Sequence, residues 1–348
     1  DFCLSRGLGD VYKRQAVFGP CGLMGHADCA SLPEQAFDPA TPVDPDPHLD
    51  VARARRLDRS ARLGAVAVQR ALAEAHAPVP GTGVVLGSAY GNVDASAAFM
   101  HRIFDRGPRS ASPAEFPNLV PSSPVGHVSI YLGLRGPAFA TADLAASGES
   151  AFVQAVQLVA TGQAQRIVAG AVEPKSDIVD RVLAALFAHS LSQATGKRGD
   201  VAAALIVENE RVARERGAPV LARVRQVLEW RSGSHMFRPH SGTSSTPPRE
   251  RGGGGDVPSP LASLRPPSGG RAECGLARPN GGVDALLAGT PWAACPRFAC
   301  DGAVGESDGL GAVVLAAAVG RIATGRAREV LVVGLAKERG YAIVLAAP

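Results

Sequence analysis

The sequence predicts an α/β fold, and three observations predict it. Short apolar runs bounded by glycines alternate with amphipathic helical stretches along most of the chain. Hydrophobic residues make up 46% and charged residues 20% of the 348, the usage of a chain that buries a large core. The longest apolar candidate, Gly309–Val319, falls short of the ~18 residues that a membrane span requires. At this length about two domains, or one large α/β unit, are expected.

The elements follow in chain order. Asp1–Gln15 (DFCLSRGLGDVYKRQ) has no apolar core of a secretion signal and resembles a translated sequencing-adapter read-through. Residues 1–15 are therefore set apart from the fold as non-native, and Cys3 with them. Ala16–Pro47 is rich in Pro, Asp and Gly and reads as loops. Across Asp50–His76, Val51, Ala54, Leu57, Ala61, Ala65, Val68 and Leu72 recur every three or four residues, with arginines on the other face, so a helix is expected. Gly83–Gly87 (GVVLG) is a buried strand. Asp94 is placed to cap a helix running to about Asp105. A further helix opens at Ser147 or Gly148, carries Ala151, Phe152, Ala155, Val156 and Val159 as one stripe, and ends at Gly162. Arg166–Val172 is a strand, Ile178–His189 a helix and Val201–Val207 a strand, and Ala218–Leu228 holds another strand.

The texture then changes. In Arg231–Gly270, 23 of 40 residues are Gly, Pro or Ser, a composition that cannot offset its own ordering entropy, so a flexible, solvated insertion is expected. Between Arg223 and Arg278 nine arginines face four acids, a balance of +5 against +4 for the whole chain. The basic surplus thus sits in the floppy stretch, and a net +4 does not argue for nucleic acid. Order returns near Val283. Leu310–Ile322 is a helix of small residues. Val330–Leu335 and Tyr341–Ala346 are strands joined by Glu338-Arg339-Gly340, with Gly340 at a positive φ. The expected units are 16–230, the insertion 231–272, and a shortened second half, 273–348.

Several chemistries are excluded on spacing. The six cysteines form neither a disulfide framework nor paired CxxC motifs, which suits a reducing cytoplasm. Gly87-Ser88-Ala89-Tyr90-Gly91 places its serine one position away from that of a G-x-S-x-G elbow. Gly252–Gly255 lacks the Lys-Ser/Thr of a phosphate loop. Asp177 and Asp180 share a helix face without a third ligand. No metal and no cofactor are expected.

Four segments carry a resemblance. Arg55–Ala75 (RRLDRSARLGAVAVQRALAEA), Ser112–Ala140 with its LGLRGP turn, Gly148–Glu173 (GESAFVQAVQLVATGQAQRIVAGAVE) and Asp200–Gly217 (DVAAALIVENERVARERG) are together similar to the β-ketoacyl-ACP synthase family, as is the closing hairpin. They most resemble its divergent branch found beside fatty-acid and polyketide genes. The resemblance implies a thiolase-like fold of five layers, αβαβα, built from two related halves and usually dimeric, with the second half shortened here.

The same resemblance assigns catalytic positions. The family places a cysteine nucleophile at the start of a buried helix, in a T-A-C-S-S-G-like string, where the helix dipole lowers a thiol's pKa. Asp143-Leu144-Ala145-Ala146-Ser147-Gly148 matches it, with Ala145 at the cysteine. A methyl group cannot take an acyl chain. Ser147 is a weak substitute nucleophile without a base, and reads as a helix N-cap. Of the family's two histidines, the first aligns with Asn280 and the second, in Gly305-Glu306-Ser307-Asp308-Gly309, with Glu306, whose carboxylate opposes a developing oxyanion. His127 reads as a packing or dimer-contact residue, and His76, His101 and His189 as solvated faces. His235 and His240 fall in the flexible stretch. Cys295 and Cys300 read as core or free thiols.

The resemblance implies a non-condensing, chain-length-factor-like partner: a dimer or a heterodimer with an active ketosynthase, working with acyl carrier protein in the cytoplasm. Nucleic acid and a membrane span are not expected. Two alternatives stand beside it. One is an active 3-oxoacyl-ACP synthase, performing decarboxylative Claisen condensation with its nucleophile at another position. The other is a damaged gene product.

Overall fold

A computed structural model of the chain describes residues 2–4, 11–12, 15–25, 27–187, 197–231, 259–267, 270–277, 281–336 and 339–348. The first half comprises β1 (Phe2–Leu4), β2 (Val11–Tyr12), β3 (Gln15–Gly19), β4 (Gly22–Met24), α1 (Val51–Ala54), α2 (Arg59–Glu74), β5 (Gly83–Gly87), α3 (Val93–Arg106), α4 (Ser123–Leu132), β6 (Ala138–Thr141), α5 (Ser147–Ala160), β7 (Arg166–Glu173), α6 (Asp177–Phe187), β8 (Val201–Asn209) and α7 (Glu210–Glu215). The second comprises β9 (Arg223–Arg231), β10 (Ala272–Leu276), α8 (Gly281–Leu287), β11 (Arg297–Ala299), α9 (Asp301–Val304), α10 (Leu310–Ala323), β12 (Glu329–Leu335) and β13 (Arg339–Ala346).

The two halves repeat one topology. Five strands of the first sheet run β6-β5-β7-β8-β3, and five of the second run β11-β10-β12-β13-β9. Numbered within its own half, each reads third, second, fourth, fifth, first. Directions repeat as well. The first three strands of each list are parallel neighbours, and the remaining two join antiparallel. The helix that precedes the fourth strand is α5 in one half and α10 in the other.

Those two helices form the middle layer. Their small side chains let them lie between the sheets, and α10 is buried on nearly every face from Leu310 to Ile322. Period-two alternation then sorts each strand's residues between layers. Ile167, Ala169 and Ala171 of β7 face α5 and α10. Val168 and Val172 face outward and pack with α2 and α4. On the second sheet, Leu228, Trp230, Leu331 and Val344 are covered by α8, by Leu261 and Leu264, and by Trp292. The order is αβαβα. The second half is the lighter one: the connection between its second and third strands runs Ala277–Pro296, against Ser88–Pro137 in the first.

Several expectations are corrected. The loop assigned to Ala16–Pro47 contains β3 and β4. Gln15, set apart with the N-terminal fifteen, begins β3, is fully buried, and donates from Nε2 to the Ala316 carbonyl at 2.8 Å. Residues 2–4 and 11–12 of that segment pair with β9 and β8. The Asp50–His76 helix is two helices, because Asp50 and Asp58 each cap a new start through the amides of Arg53 and Ala61. Asp94 lies one residue inside α3, whose cap position is Asn92, and Asp94 instead accepts a hydrogen bond from Ser176. The strand expected within Ala218–Leu228 is β9, beginning at Arg223.

Within the insertion, residues 259–267 pack rather than float. Leu261 is fully buried, and the Arg265 carbonyl accepts from the Trp292 indole at 3.0 Å. Residues 232–258 and 268–269 lie outside the described residues, as does His189. Gly340 is not a turn residue: it sits in β13 opposite Leu335, and a Cβ there would overlap the Trp230 indole.

Candidate functional site

The site lies where α5 and α10 begin. Their N-termini touch: a Cβ on Gly148 would overlap the amide nitrogen of Ala312, so only glycine permits this approach. Gly87 at the end of β5 meets the Ser147 carbonyl in the same way. The turn Leu144–Ala146 leads into α5 and contacts α10, β12 and β13.

That turn is closed on itself. Leu144 has φ +46°, strained for a residue with a branched side chain, and its side chain is exposed. Ala145 follows, half-buried, two residues ahead of α5. Ser147 is fully buried. Its Oγ accepts from the Asp143 amide at 2.9 Å and donates to the Leu144 carbonyl at 2.7 Å. The expected cap role is thus corrected: Ser147 is the first helical residue and clamps the preceding turn, while Ala146 occupies the cap position. The Tyr341 hydroxyl donates to Asp143 Oδ2 at 2.5 Å, and burial, with that bond, pushes Tyr341 up to about 12.

The mouth of α10 is charged instead. Glu306 is half-buried and its amide donates to the Lys197 carbonyl at 3.1 Å. Asp308, two residues on, is buried against Arg198 at 2.9 Å, and Arg198 also reaches Asp180 at 3.3 Å. The Arg198 guanidinium lies over the Tyr90 ring at 5.8 Å. Glu173 ends β7 beneath this group. Its Oε2 accepts from the Ala89 amide at 2.7 Å and from Ser88 Oγ at 3.1 Å. Burial, together with the neighbouring Asp308 charge, nevertheless pushes Glu173 up to about 7. Burial and Asp308 likewise push Tyr90 up to about 12.

A cleft of about 450 Å³ opens beside this cluster, lined by Ala40, Lys175, Asp180, Leu183, Ala184, Lys197, Arg198 and Glu306. Of the expected positions, the structure places Glu306 on the cleft and Ala145 at the mouth of α5, off the cleft lining. Asn280 lies outside the described residues. His127 is half-buried, its Nδ1 4.0 Å from Asp58. His76 and His101 are exposed. Cys300 is buried and Cys295 half-buried, both free thiols, and the cleft lining contains no cysteine. Burial raises both thiols. Among the described residues no cluster fits a metal ion, and no helix is long and apolar enough to cross a membrane.

Sequence reasoning missed Ser88, Tyr90, Glu173, Arg198 and Asp308 as a group. Taken singly, Ser88 and Asp180 match no chemical motif, and nothing local links positions 88, 173, 198 and 308.

Comparison with known proteins agrees with this architecture. Residues 32–197 match the family model for the beta-ketoacyl synthase N-terminal domain. This chain is β-ketoacyl-synthase-like, on a thiolase-type fold. 3-Oxoacyl-[acyl-carrier-protein] synthase 2 of Staphylococcus aureus is 28% identical to it over 199 residues, covering 51% of this chain and 47% of that one. The chain thus spans about half the length of the curated relatives it matches. The ishigamide ketosynthase/chain length factor superposes with a TM-score of 0.73 at 19% identity, over 97% of this chain and 99% of that chain. A ketosynthase bound to a hexaketide, in complex with its type II polyketide acyl-carrier protein, also gives 0.73, at 13% identity, over 98% and 99%. At these identities the structural likeness speaks for the fold.

Proposed function

We propose that this ketosynthase-like chain is a non-condensing partner of an active ketosynthase, shaping the acyl chamber as a chain-length factor does, in a reducing cytoplasm. The observation that carries the reading is the turn ahead of α5. A methyl group stands at position 145, and the hydroxyl of Ser147, two residues on, is committed to two backbone hydrogen bonds. Glu306 adds a negative charge where oxyanion stabilisation asks for a donor.

Two surfaces support partnership. β6 is an edge strand with exposed residues, Phe139 among them, and an unpaired edge is a template for strand pairing. A groove of about 470 Å³ is lined by Arg53, Arg55, Arg56 and His127, with the 79%-exposed Ile130 at its side, and suits an acidic carrier domain.

Co-expression with an active ketosynthase, followed by native mass spectrometry, tests the reading. A heterodimer that weakens on Phe139→Asp is expected. Monomers and homodimers alone would refute it. Incubation with malonyl- or acyl-ACP separates the alternatives. No adduct is expected on the natural chain, and an adduct at any residue restores the condensing reading. Ala145→Cys is expected to alkylate faster with iodoacetamide than Cys295 does, because its thiol sits at a helix N-terminus.

A further inference from the structure

Cys274 lies on β10 with its side chain fully buried, and Cys295 closes the turn ahead of β11, partly exposed. Three backbone contacts hold them together. The Cys274 amide donates to the Pro296 carbonyl at 2.8 Å. The Cys295 amide donates to the Trp292 carbonyl at 3.1 Å, and the Cys274 thiol donates to that same carbonyl at 3.7 Å. Trp292 is itself fixed: fully buried, with its indole N–H on the Arg265 carbonyl. The two side chains are also close enough for each to shift the other's titration. This arrangement belongs to the outer layer of the second half, away from the cleft, and no part of the proposed function uses it.

We propose that Cys274 and Cys295 are an oxidisable pair, which a peroxide-class oxidant converts to a disulfide fastening the two ends of the β10–β11 connection. Cys295 is the attacking sulfur because it reaches solvent. Burial raises its pKa, and the neighbouring Cys274 side chain works against that rise. Cys274, pushed up to about 12 by burial, resolves. The Cys295 thiolate attacks one peroxide oxygen. The O–O bond breaks, leaving a sulfenic acid and hydroxide. The Cys274 thiol then attacks the sulfenic sulfur, gives up its proton, and water departs as the S–O bond breaks. Two thiols are oxidised and one peroxide is reduced to two waters. The segment so closed carries α8, so the oxidised chain holds that helix more tightly than the reduced one.

The test uses the full chain with hydrogen peroxide, followed by alkylation and peptide mapping under non-reducing conditions. A Cys274–Cys295 linked peptide is expected, with an intact-mass loss of about 2 Da that dithiothreitol reverses. Proteolysis within Gly281–Ala294 is expected to slow about threefold or more in the oxidised protein. Cys295→Ser should abolish both changes. Independent alkylation of both thiols after peroxide, or a link from either cysteine to a different partner, overturns the proposal. The mapping on the natural chain decides the matter even where the serine variant does not fold.

Discussion

The starts of α5 and α10 occupy equivalent places in a repeated topology, yet they are finished in opposite ways. The α5 end is a closed turn: a strained Leu144, a methyl at Ala145 and a hydroxyl at Ser147 spent on its own backbone. The α10 end is a charged one, where Glu306 and Asp308 meet Arg198 over a raised Glu173. Topology decides that two helix N-termini converge. The side chains placed there decide which end can hold charge. The proposed reading rests on the first of these ends, where a methyl group and a backbone-bonded hydroxyl stand.

Three pairs of variants would break or sharpen the contrast. The largest effect is expected where the two ends touch. Gly148→Val drives a side chain into the Ala312 backbone and should cost about 4 kcal/mol or abolish cooperative unfolding in urea. Gly302→Ala, which meets open space on α9, should stay within about 0.5 kcal/mol. A mild effect at Gly148 would mean that the two helices can separate.

The charged end should give the chain a pH signature. Glu173 keeps its proton in the folded state up to about 7, whereas the unperturbed carboxyl titrates near 4.5. The folded state therefore holds the extra proton between those values. This contribution is fully present below about pH 4.5 and is lost as pH rises to about 7, an effect on the order of 3 kcal/mol. Glu173→Gln should flatten that slope in chemical denaturation measured across the window. Asp308→Asn should shrink it, because one of the charges that raises Glu173 is gone. An unchanged slope in both variants would place the titration elsewhere.

Smaller effects distinguish the two serines. Ser147→Ala removes two buried hydrogen bonds from the closed turn and should cost about 2 kcal/mol by urea melt. Ser307→Ala removes one bond, to the Gly309 amide ahead of α10, and should cost about 1 kcal/mol. Equal costs would argue that the α5 turn is no more tightly closed than its counterpart.

Much of the first half could be read from the chain because its signals are local. The apolar run Gly83–Gly87 is β5, and the stripe of Ala151, Phe152, Ala155 and Val156 is the buried face of α5. The misses share a cause. β3 opens with Gln15, a polar residue that is buried only because the Ala316 carbonyl, far along the chain, receives its amide. β10 (AECGL) sits in an arginine-rich neighbourhood and carries Glu273, whose charge is met by Arg321 of α10. Gly340 reads as a turn residue until Trp230 of another strand is seen filling the space beside it.

The candidate site divides along the same line. Ala145, Ser147 and Glu306 could be named from ordered strings of neighbouring residues, because a helix start and its preceding turn are written within a few positions. Ser88, Glu173, Arg198 and Asp308 come from four separate loops and strand ends. Glu173's shifted titration depends on burial and on a charge supplied by the other half of the chain. Hydrophobic period and glycine placement are properties of short segments, so the sequence by itself determined the α/β class and the buried helices. Which polar groups face one another across the seam between the halves depends on how the two sheets stack around α5 and α10. Only the tertiary structure decided that, because those contacts join residues more than a hundred positions apart.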